Sequence, residues 1–190
     1  LAAARVSTLG LPTLERGLEN RFRVLTGGSR TSLPRHQALQ ATLDWSYTVL
    51  DEREQHMLNR MGVFAGTFTA EAASAVCGGD GVEQGDVLDI LASLVDKSLV
   101  VAGGISPTTR YRLLETTRAY ALQRLTNGAA ASTARRRHAE YYHSLSLTVN
   151  STFGTAAFAE WFEAYAMELD NFRAALSWTI DERGDCLLYT

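Results

Sequence analysis

The side chains that could act as nucleophiles, general bases or metal ligands are few and scattered. The sequence has four histidines and two cysteines: His36, His56, His138, His143, Cys77 and Cys186. They do not form the spacing of a metal site or of a nucleophile with its base. We therefore expect this chain to be no enzyme and to hold no metal, and we expect Cys77 to be a buried, reduced thiol.

Nucleotide chemistry would need a phosphate-binding loop, and none is visible. The pattern Gly-x-x-x-x-Gly-Lys-[Ser/Thr] does not occur in the 190 residues. Arg30 and Arg35 flank a Gly- and Ser-rich stretch that is predicted to be a polar loop over residues 26–37. Such a loop either lies in solvent or contacts a phosphate or an acidic neighbouring domain, and both interpretations stay open. The run Arg135–Arg137 predicts a solvated basic face.

The elements that would position these residues are mostly helices. Apolar residues recur at helical spacing in five stretches: 13–25, 37–50, 85–97, 132–149 and 156–180. The last stretch carries one long apolar stripe from Phe158 to Leu176, which is typical of a core-facing helix.

Local capping signals place two further helices. Asp51 and Glu54 form a capping box for a helix that runs through Met61. Thr69 caps a short alanine-rich helix that ends at Gly78. Another helix is expected from about Thr116 to Thr126, where Asn127-Gly128 stops it.

Two short strands follow the helix at 85–97. Residues 98–101 and 110–114 read as strands, with a Gly- and Pro-containing turn at 103–107 between them. Three helices followed by a strand, a turn and a strand are the order of a winged helix, with the hairpin as the wing. The helix at 85–97 occupies the place of a DNA-reading helix. The predicted fold class is therefore mainly α: a winged helix followed by α-helical hairpins like those of tetratricopeptide repeats.

The charge of the predicted winged helix disfavours DNA reading. Residues 37–125 contain seven basic and eleven acidic side chains, a net charge of −4. The helix at 85–97 carries Asp86, Asp89 and Asp96, with Lys97 as its single basic residue. DNA-binding proteins neutralise phosphates with Lys and Arg, so direct contact with DNA is not expected. The whole chain has a net charge of −3 and no apolar run of the length that a membrane span needs.

Four stretches together resemble one family. They are Leu33-Pro34-Arg35-His36-Gln37 with Leu43-Asp44-Trp45-Ser46-Tyr47, then 94–100, then Tyr111-Arg112-Leu113-Leu114-Glu115-Thr116, and last 170–178. They are similar to segments of the large bacterial STAND-type ATPase regulators, the LuxR-type and antibiotic-pathway activators with an NB-ARC-like switch. In that family a P-loop ATPase domain is followed by a helical segment, a winged helix and a repeat sensor.

The resemblance implies a regulatory role. The winged helix would pack on a nucleotide-binding domain, ATP or ADP would bind to that domain and not to this chain, and a protein or small-molecule inducer would act on the helical region. Related switches carry Met-His-Asp at the end of the wing, and the matching positions here are Leu113, Leu114 and Glu115. Leu114 replaces the histidine. Glu115 either braces the closed state or is a helix N-terminal carboxylate that the helix dipole stabilises.

The resulting domain plan has four parts. Residues 1–36 would be the end of the helical segment of the ATPase module and a linker, 37–128 the winged helix, 129–185 the start of the sensor, and 186–190 a read-through of a sequencing adapter. With no signal peptide visible, the expected location is the cytoplasm. The alternative function is a DNA-binding winged helix of a transcription factor, which the acidic helix disfavours.

Overall fold

The structure is a computed structural model that describes residues 32–79, 82, 85–103, 108–125, 129–154 and 158–180. The helix predicted at 13–25, the turn at 104–107 and the segment 186–190 lie outside these residues. The elements are α1 (Ser32–Thr48), α2 (Glu52–Met61), α3 (Ala70–Cys77), α4 (Asp86–Asp96), β1 (Val100–Gly103), β2 (Arg110–Leu113), α5 (Glu115–Arg124), α6 (Ala129–Thr152), α7 (Phe158–Ala166) and α8 (Leu169–Trp178). The chain divides into two compact units, Leu1–Leu50 and Asp51–Thr190.

The first unit contributes α1, which begins earlier than the sequence predicts. Residues 32–37 are helical and not part of a polar loop. Pro34 lies in the first turn of α1, where its missing N–H has no helical partner to lose. The prediction that Arg35 belongs to a loop is therefore wrong, and its side chain lies outside the described residues.

Local capping chemistry starts α2 and α3, the first two helices of the second unit. The Glu54 amide donates to Asp51 Oδ1 at 2.8 Å, and the Asp51 amide donates to Glu54 Oε2 at 2.9 Å. The Ala72 amide donates to Thr69 Oγ1 at 3.2 Å. Both predicted caps are confirmed, because each satisfies backbone donors that the first helical turn leaves unpaired.

Two arginines from different helices hold the end of α3. Arg60 Nη1 donates to the carbonyl oxygens of Cys77 at 2.8 Å and Gly79 at 2.9 Å. Arg137 Nη1, from α6, donates to the carbonyl oxygen of Gly78. The last carbonyls of a helix lack helical partners and carry partial negative charge. Arg137 thus faces inward, and the predicted solvated basic face applies only to Arg136, which is exposed beside Glu140.

The wing is an antiparallel hairpin with a third partner. Val100 pairs with Leu113 and Gly103 with Arg110. Phe68 forms an isolated bridge with Tyr111, through backbone hydrogen bonds of 2.9 and 2.8 Å. The winged-helix order is confirmed, while the first strand begins at Val100 and not at residue 98.

The core of this unit lies where the helices meet the base of the wing. The rings of Phe64 and Phe68 stack with their centroids 4.2 Å apart. On α4 the predicted apolar face is buried at Val87, Ile90, Leu91 and Leu94. Helix α6 packs against α3 and α8, so the winged helix and the helices after it share one buried interior.

The stretch 156–180, which carries the predicted apolar stripe, is divided between two helices. The chain breaks at Met167 and Glu168 into α7 and α8, where the Glu168 amide closes a turn onto the Tyr165 carbonyl and the Glu168 side chain is buried. The apolar stripe is not continuous core either. Phe158 is 67% exposed and Phe162 is 47% exposed, on α7. A periodic stripe records which residues share a face, and it does not say that another element covers that face.

Candidate functional site at the base of the wing

The exposed surface of α4 is acidic and apolar. Its solvent-facing residues include Leu88, which is 56% exposed, and Asp89. Asp86 pairs with Arg53 on α2. Lys97, just after α4, has its Nζ 2.5 Å from Glu54 Oε1. The single lysine is therefore engaged by a carboxylate of the same unit.

Glu54 is held ionised by that arrangement. Burial by itself raises the pKa of this carboxyl, but hydrogen bonds from Lys97, Ser93 and the Asp51 amide outweigh burial and hold the pKa below its ordinary value. Ser93 Oγ lies 2.5 Å from Glu54 Oε1. Glu54 therefore links the start of α2 to α4 and fixes the helix that stands where DNA readers place their recognition helix.

The predicted positions Leu114 and Glu115 lie at the junction of the wing and α5. Leu114 is the N-cap residue of α5, with φ −62° and ψ 146°, and it is 43% exposed. Glu115 is exposed in the first turn, and its Oε1 lies 3.8 Å from Arg118 Nη1. This is the geometry of a carboxylate stabilised by the helix N-terminus. The role of either residue in sensing a nucleotide stays a prediction.

Glu115 opens onto a cleft of about 420 Å³. One wall is the turn 64–67 with Arg112 and Arg118, and the other wall is Ala166, Met167 and Asp170. Arg118 Nε donates to the Phe64 carbonyl at 2.5 Å, which fixes the guanidinium beside the turn. The cleft therefore lies between the wing and the start of α8.

Beneath the cleft lies a set of buried polar contacts that we call the wing-base network. Its members are joined by mutual hydrogen bonds or ion pairs, and all are buried except Thr67, which is half-buried: Thr67, Arg110, Tyr142, Glu168 and Asn171. Arg110 Nη1 lies 2.7 Å from Glu168 Oε1, and the two side chains are 7% and 9% exposed. Arg110 also donates to Thr67, to the side-chain oxygen at 2.9 Å and the carbonyl at 3.1 Å. Tyr142 donates to Glu168 Oε2 at 3.1 Å.

Asn171 satisfies the turn before the bridge residue Phe68. Its Oδ1 accepts from the Ala65 amide at 2.8 Å and the Gly66 amide at 3.4 Å, and its Nδ2 donates to the Thr67 carbonyl at 2.8 Å. The side chain is fully buried. Because an unpaired buried backbone group is costly, this one side chain ties α8 to the turn.

Burial controls the titration of the groups around the network. Burial, followed by the nearby Glu168 charge, raises the pKa of Tyr142. Burial is the main cause that lowers the pKa of His138 to about 4; a hydrogen bond with Asn171 opposes this shift, and the charge of Arg118 adds to it. Both side chains are therefore neutral at pH 7, so Glu168 and Arg110 are the charged pair of the network.

Sequence reasoning missed all five members of the network. A buried Asn inside the apolar stripe of α8 and a Glu at a helix break were the available signals. Neither signal names a partner, because the contacts join residues as far apart as Ala65 and Asn171.

The described part of the chain contains no arrangement of side chains that would support metal or thiol chemistry. Within it, no group of three or more His, Cys, Asp or Glu side chains could hold a metal ion. Cys77 is a buried free thiol, as expected, and burial raises its pKa to about 12 against the opposing charges of Arg60 and Arg137. Among the described helices, none combines the length and apolar character of a membrane span.

Comparison with known proteins identifies the domain that this geometry defines. Residues 50–126 match the family model described as "Winged helix-turn-helix domain". The match covers α2 to α5 and includes the wing. A winged helix with a following helical segment is therefore the architecture of the described residues.

The chain is homologous to longer mycobacterial proteins. A protein of Mycobacterium tuberculosis (strain ATCC 25618 / H37Rv) with the name "Putative HTH-type transcriptional regulator Rv0890c" is 41% identical over 183 residues, which are 94% of this chain and 20% of the relative. "Uncharacterized protein Rv0894" of the same strain is 37% identical over 142 residues, which are 74% of this chain and 36% of the relative. The chain thus spans about a fifth of the first relative. No solved structure matches it.

Proposed function

We propose that this chain is the regulatory switch segment of an ATP-dependent transcription regulator of the STAND type. In this proposal the winged helix packs on a nucleotide-binding domain in another part of the longer protein and couples that domain to a helical sensor region. ATP or ADP binds to the other domain, and this segment performs no catalysis. The length and the name of the first relative support a large regulator.

The wing-base network is the observation that carries the coupling. Arg110 is in the wing, Thr67 is in the turn before it, and Glu168 and Asn171 are at the start of the helical segment. A movement of the helices after residue 129 must move the wing or break buried hydrogen bonds. An inducer, whether a protein or a small molecule, can shift a two-state equilibrium only through contacts that differ between the states. A buried polar junction supplies such contacts.

Glu115 and Leu114 are the residues that we propose to face the nucleotide-binding domain. Both are exposed at the rim of the wing, and Glu115 lines the 420 Å³ cleft. Arg35 would contact the same neighbouring domain or a phosphate. The acidic α4 surface would meet a basic surface.

A DNA-binding winged helix is the second candidate. The family description and the words "HTH-type transcriptional regulator" in the name of a relative favour it. The acidic α4 surface and the engagement of Lys97 by Glu54 oppose it, because phosphate contacts supply much of the affinity for DNA.

A mobility-shift experiment separates the two candidates. The 190-residue chain is mixed with random duplex DNA at low salt, and the switch predicts no shift. Tight binding that weakens steeply with salt would establish the DNA-binding candidate instead.

The switch also has a direct test. Reading the gene outward should reveal a Walker A sequence upstream, and the encoded ATPase domain should bind this chain more tightly with ADP than with ATP. Glu115→Lys should weaken that complex, whereas Glu140→Lys, an exposed change of equal charge on α6, should leave it unchanged. The switch would be refuted if the affinity of the complex were the same with ADP and with ATP and if neither substitution changed it.

A further inference from the structure

We propose that the cleft beside the wing binds an extended, acidic peptide segment of a partner protein, which adds to the open edge of β2. This site depends on the proposed function only because both treat the cleft as a contact surface, and it adds the chemistry of the partner. The backbone of Leu113 and the side chain of Arg112 are the groups that would bind the peptide. Both residues line the cleft.

The strand β2 is paired along one edge by β1 and at a single residue on its other edge. On that second edge the Tyr111 amide and carbonyl are bonded to Phe68 at 2.8 and 2.9 Å. Alternate residues of a strand direct their backbone groups to the same edge, so the amide and carbonyl of Leu113 also face away from β1. Among the described residues, no backbone group pairs with them.

The turn before Phe68 is bonded elsewhere and leaves this edge open. If the pairing at Phe68 continued regularly, Gly66 would lie opposite Leu113. Instead the Gly66 amide donates to Asn171 Oδ1 at 3.4 Å, and the Thr67 carbonyl accepts from Asn171 Nδ2 at 2.8 Å. Leu113 is 8% exposed, and a buried backbone group without a partner costs free energy. An incoming strand that supplies one amide and one carbonyl would remove that cost.

The charges around the cleft indicate that the peptide is acidic. Both carboxylates that line the cleft already have a cationic neighbour. Glu115 Oε1 lies 3.8 Å from Arg118 Nη1, and Asp170 Oδ1 lies 3.3 Å from Arg173 Nη1. Arg112 is exposed, and within the described part of the chain its guanidinium makes no ion pair or hydrogen bond. Since a guanidinium matches the planar fork of a carboxylate, Arg112 selects an acidic side chain.

The size of the cleft fits a short length of extended chain. Its volume of about 420 Å³ lies in the range of about 300–1,000 Å³ that is usual for ligand sites. Successive side chains of a strand point to opposite faces. An acidic side chain that faces Arg112 would therefore be flanked by two side chains that face the opposite wall, where Ala166 and Met167 are apolar. The expected segment is one acidic residue between two apolar ones.

The test is a calorimetric titration of the 190-residue chain with the synthetic peptide acetyl-Thr-Val-Glu-Val-Thr-amide. We expect saturable binding with a Kd of about 0.1 mM or tighter. The same peptide with Gln in place of Glu should bind about tenfold more weakly. A peptide N-methylated at its three central residues should not bind, because it cannot donate to the edge of β2. No saturation by about 2 mM, or equal affinity for either altered peptide, would overturn the proposal.

Matched variants locate the binding. Arg112→Gln should weaken it about tenfold, while Arg136→Gln, an exposed change of equal charge on α6, should not alter it. A Cβ atom at Gly66 would lie 3.4 Å from Asp170 Cβ, an ordinary contact across the cleft. Gly66→Val therefore removes no charge, narrows the cleft and should abolish binding. Equal effects of the two arginine variants, or full binding by Gly66→Val, would contradict the assigned site.

The outcome is separable from that of the switch. The titration contains neither nucleotide nor the ATPase domain, so a failure to bind the peptide overturns the peptide site alone. The switch is tested by the nucleotide dependence of its complex with the ATPase domain.

Discussion

The α4 surface and the wing base both carry paired charges, but they differ in burial. The Arg53 and Asp86 side chains are 49% and 38% exposed, whereas Arg110 and Glu168 are 7% and 9% exposed. Solvent screens the first pair and weakens it. The second pair cannot lose one partner without leaving a buried charge. The pair on the α4 surface is therefore exposed among the described residues, whereas the wing-base pair is fixed to the helices that follow.

Arg110→Met should reduce stability most, because it leaves the buried Glu168 carboxylate without its ion-pair partner and removes both hydrogen bonds to Thr67. We expect it to lower the free energy of unfolding by about 4 kcal/mol, measured by urea denaturation. Arg112→Met, an exposed change on the same strand, should cost less than about 0.5 kcal/mol. The double variant Arg110→Met/Glu168→Leu should lose less than the single one, and additive losses would show that the two residues are not coupled.

Acidification should have the second-largest effect on stability, and it should act on the residues around the wing base. The folded pKa of His138, about 4, lies below the ordinary value of 6.5. The stabilising contribution of the neutral His138 is fully present above pH 6.5. As the pH falls from 6.5 towards 4, the unfolded chain takes up the proton before the folded chain does, so the free energy of unfolding decreases over that window. The loss should reach about 3 kcal/mol. Denaturation at several pH values should show a smaller slope in His138→Phe, and an unchanged slope would assign the effect to other groups.

Glu54→Ala should be the larger change on the α4 side. It removes the return bond of the capping box and the contacts to Lys97 and Ser93. We expect a loss of about 2 kcal/mol in thermal or urea denaturation. The ionised carboxylate adds to the free energy of unfolding at pH values above its ordinary pKa of 4.5. This contribution disappears as the pH falls through the lower pKa of the folded state. Glu52→Ala, at an exposed position of the same turn, serves as the control.

Arg53→Ala should have the smallest effect. Its partner Asp86 is partly exposed, and exposed ion pairs contribute about 0–1 kcal/mol. Denaturation should show a loss below about 0.5 kcal/mol that vanishes in high salt. A loss as large as that of Arg110→Met would remove the contrast between the two faces.

Features of the fold that depend on neighbouring residues were predictable from the sequence. The capping box at Asp51, the cap at Thr69 and the buried face of α4 follow from spacings of three or four residues. The wing follows from two short strands and a turn. Each of these features is set by hydrogen bonds and periodicity within one element or one hairpin.

The wing-base network and the split of the last helix were not predictable in the same way. Arg110 and Glu168 are separated by most of the helical segment, and nothing in either local sequence identifies the other as its partner. The break at Glu168 coincides with that buried pairing, and the sequence around it contains no proline or glycine. Of the site residues that the sequence named, Glu115 lines the cleft, and sequence reasoning missed the polar contacts beneath it.

The two arginines at the end of α3 make its fraying depend on a distant part of the chain. Arg60 and Arg137 donate hydrogen bonds to three successive carbonyl oxygens, those of Cys77, Gly78 and Gly79. Arg137 belongs to α6. The last turn of α3 therefore cannot open freely while α6 is docked. Its amide hydrogens should exchange with solvent together with those of α6, as one cooperative unit, so that α3 reports how firmly the helical segment is held.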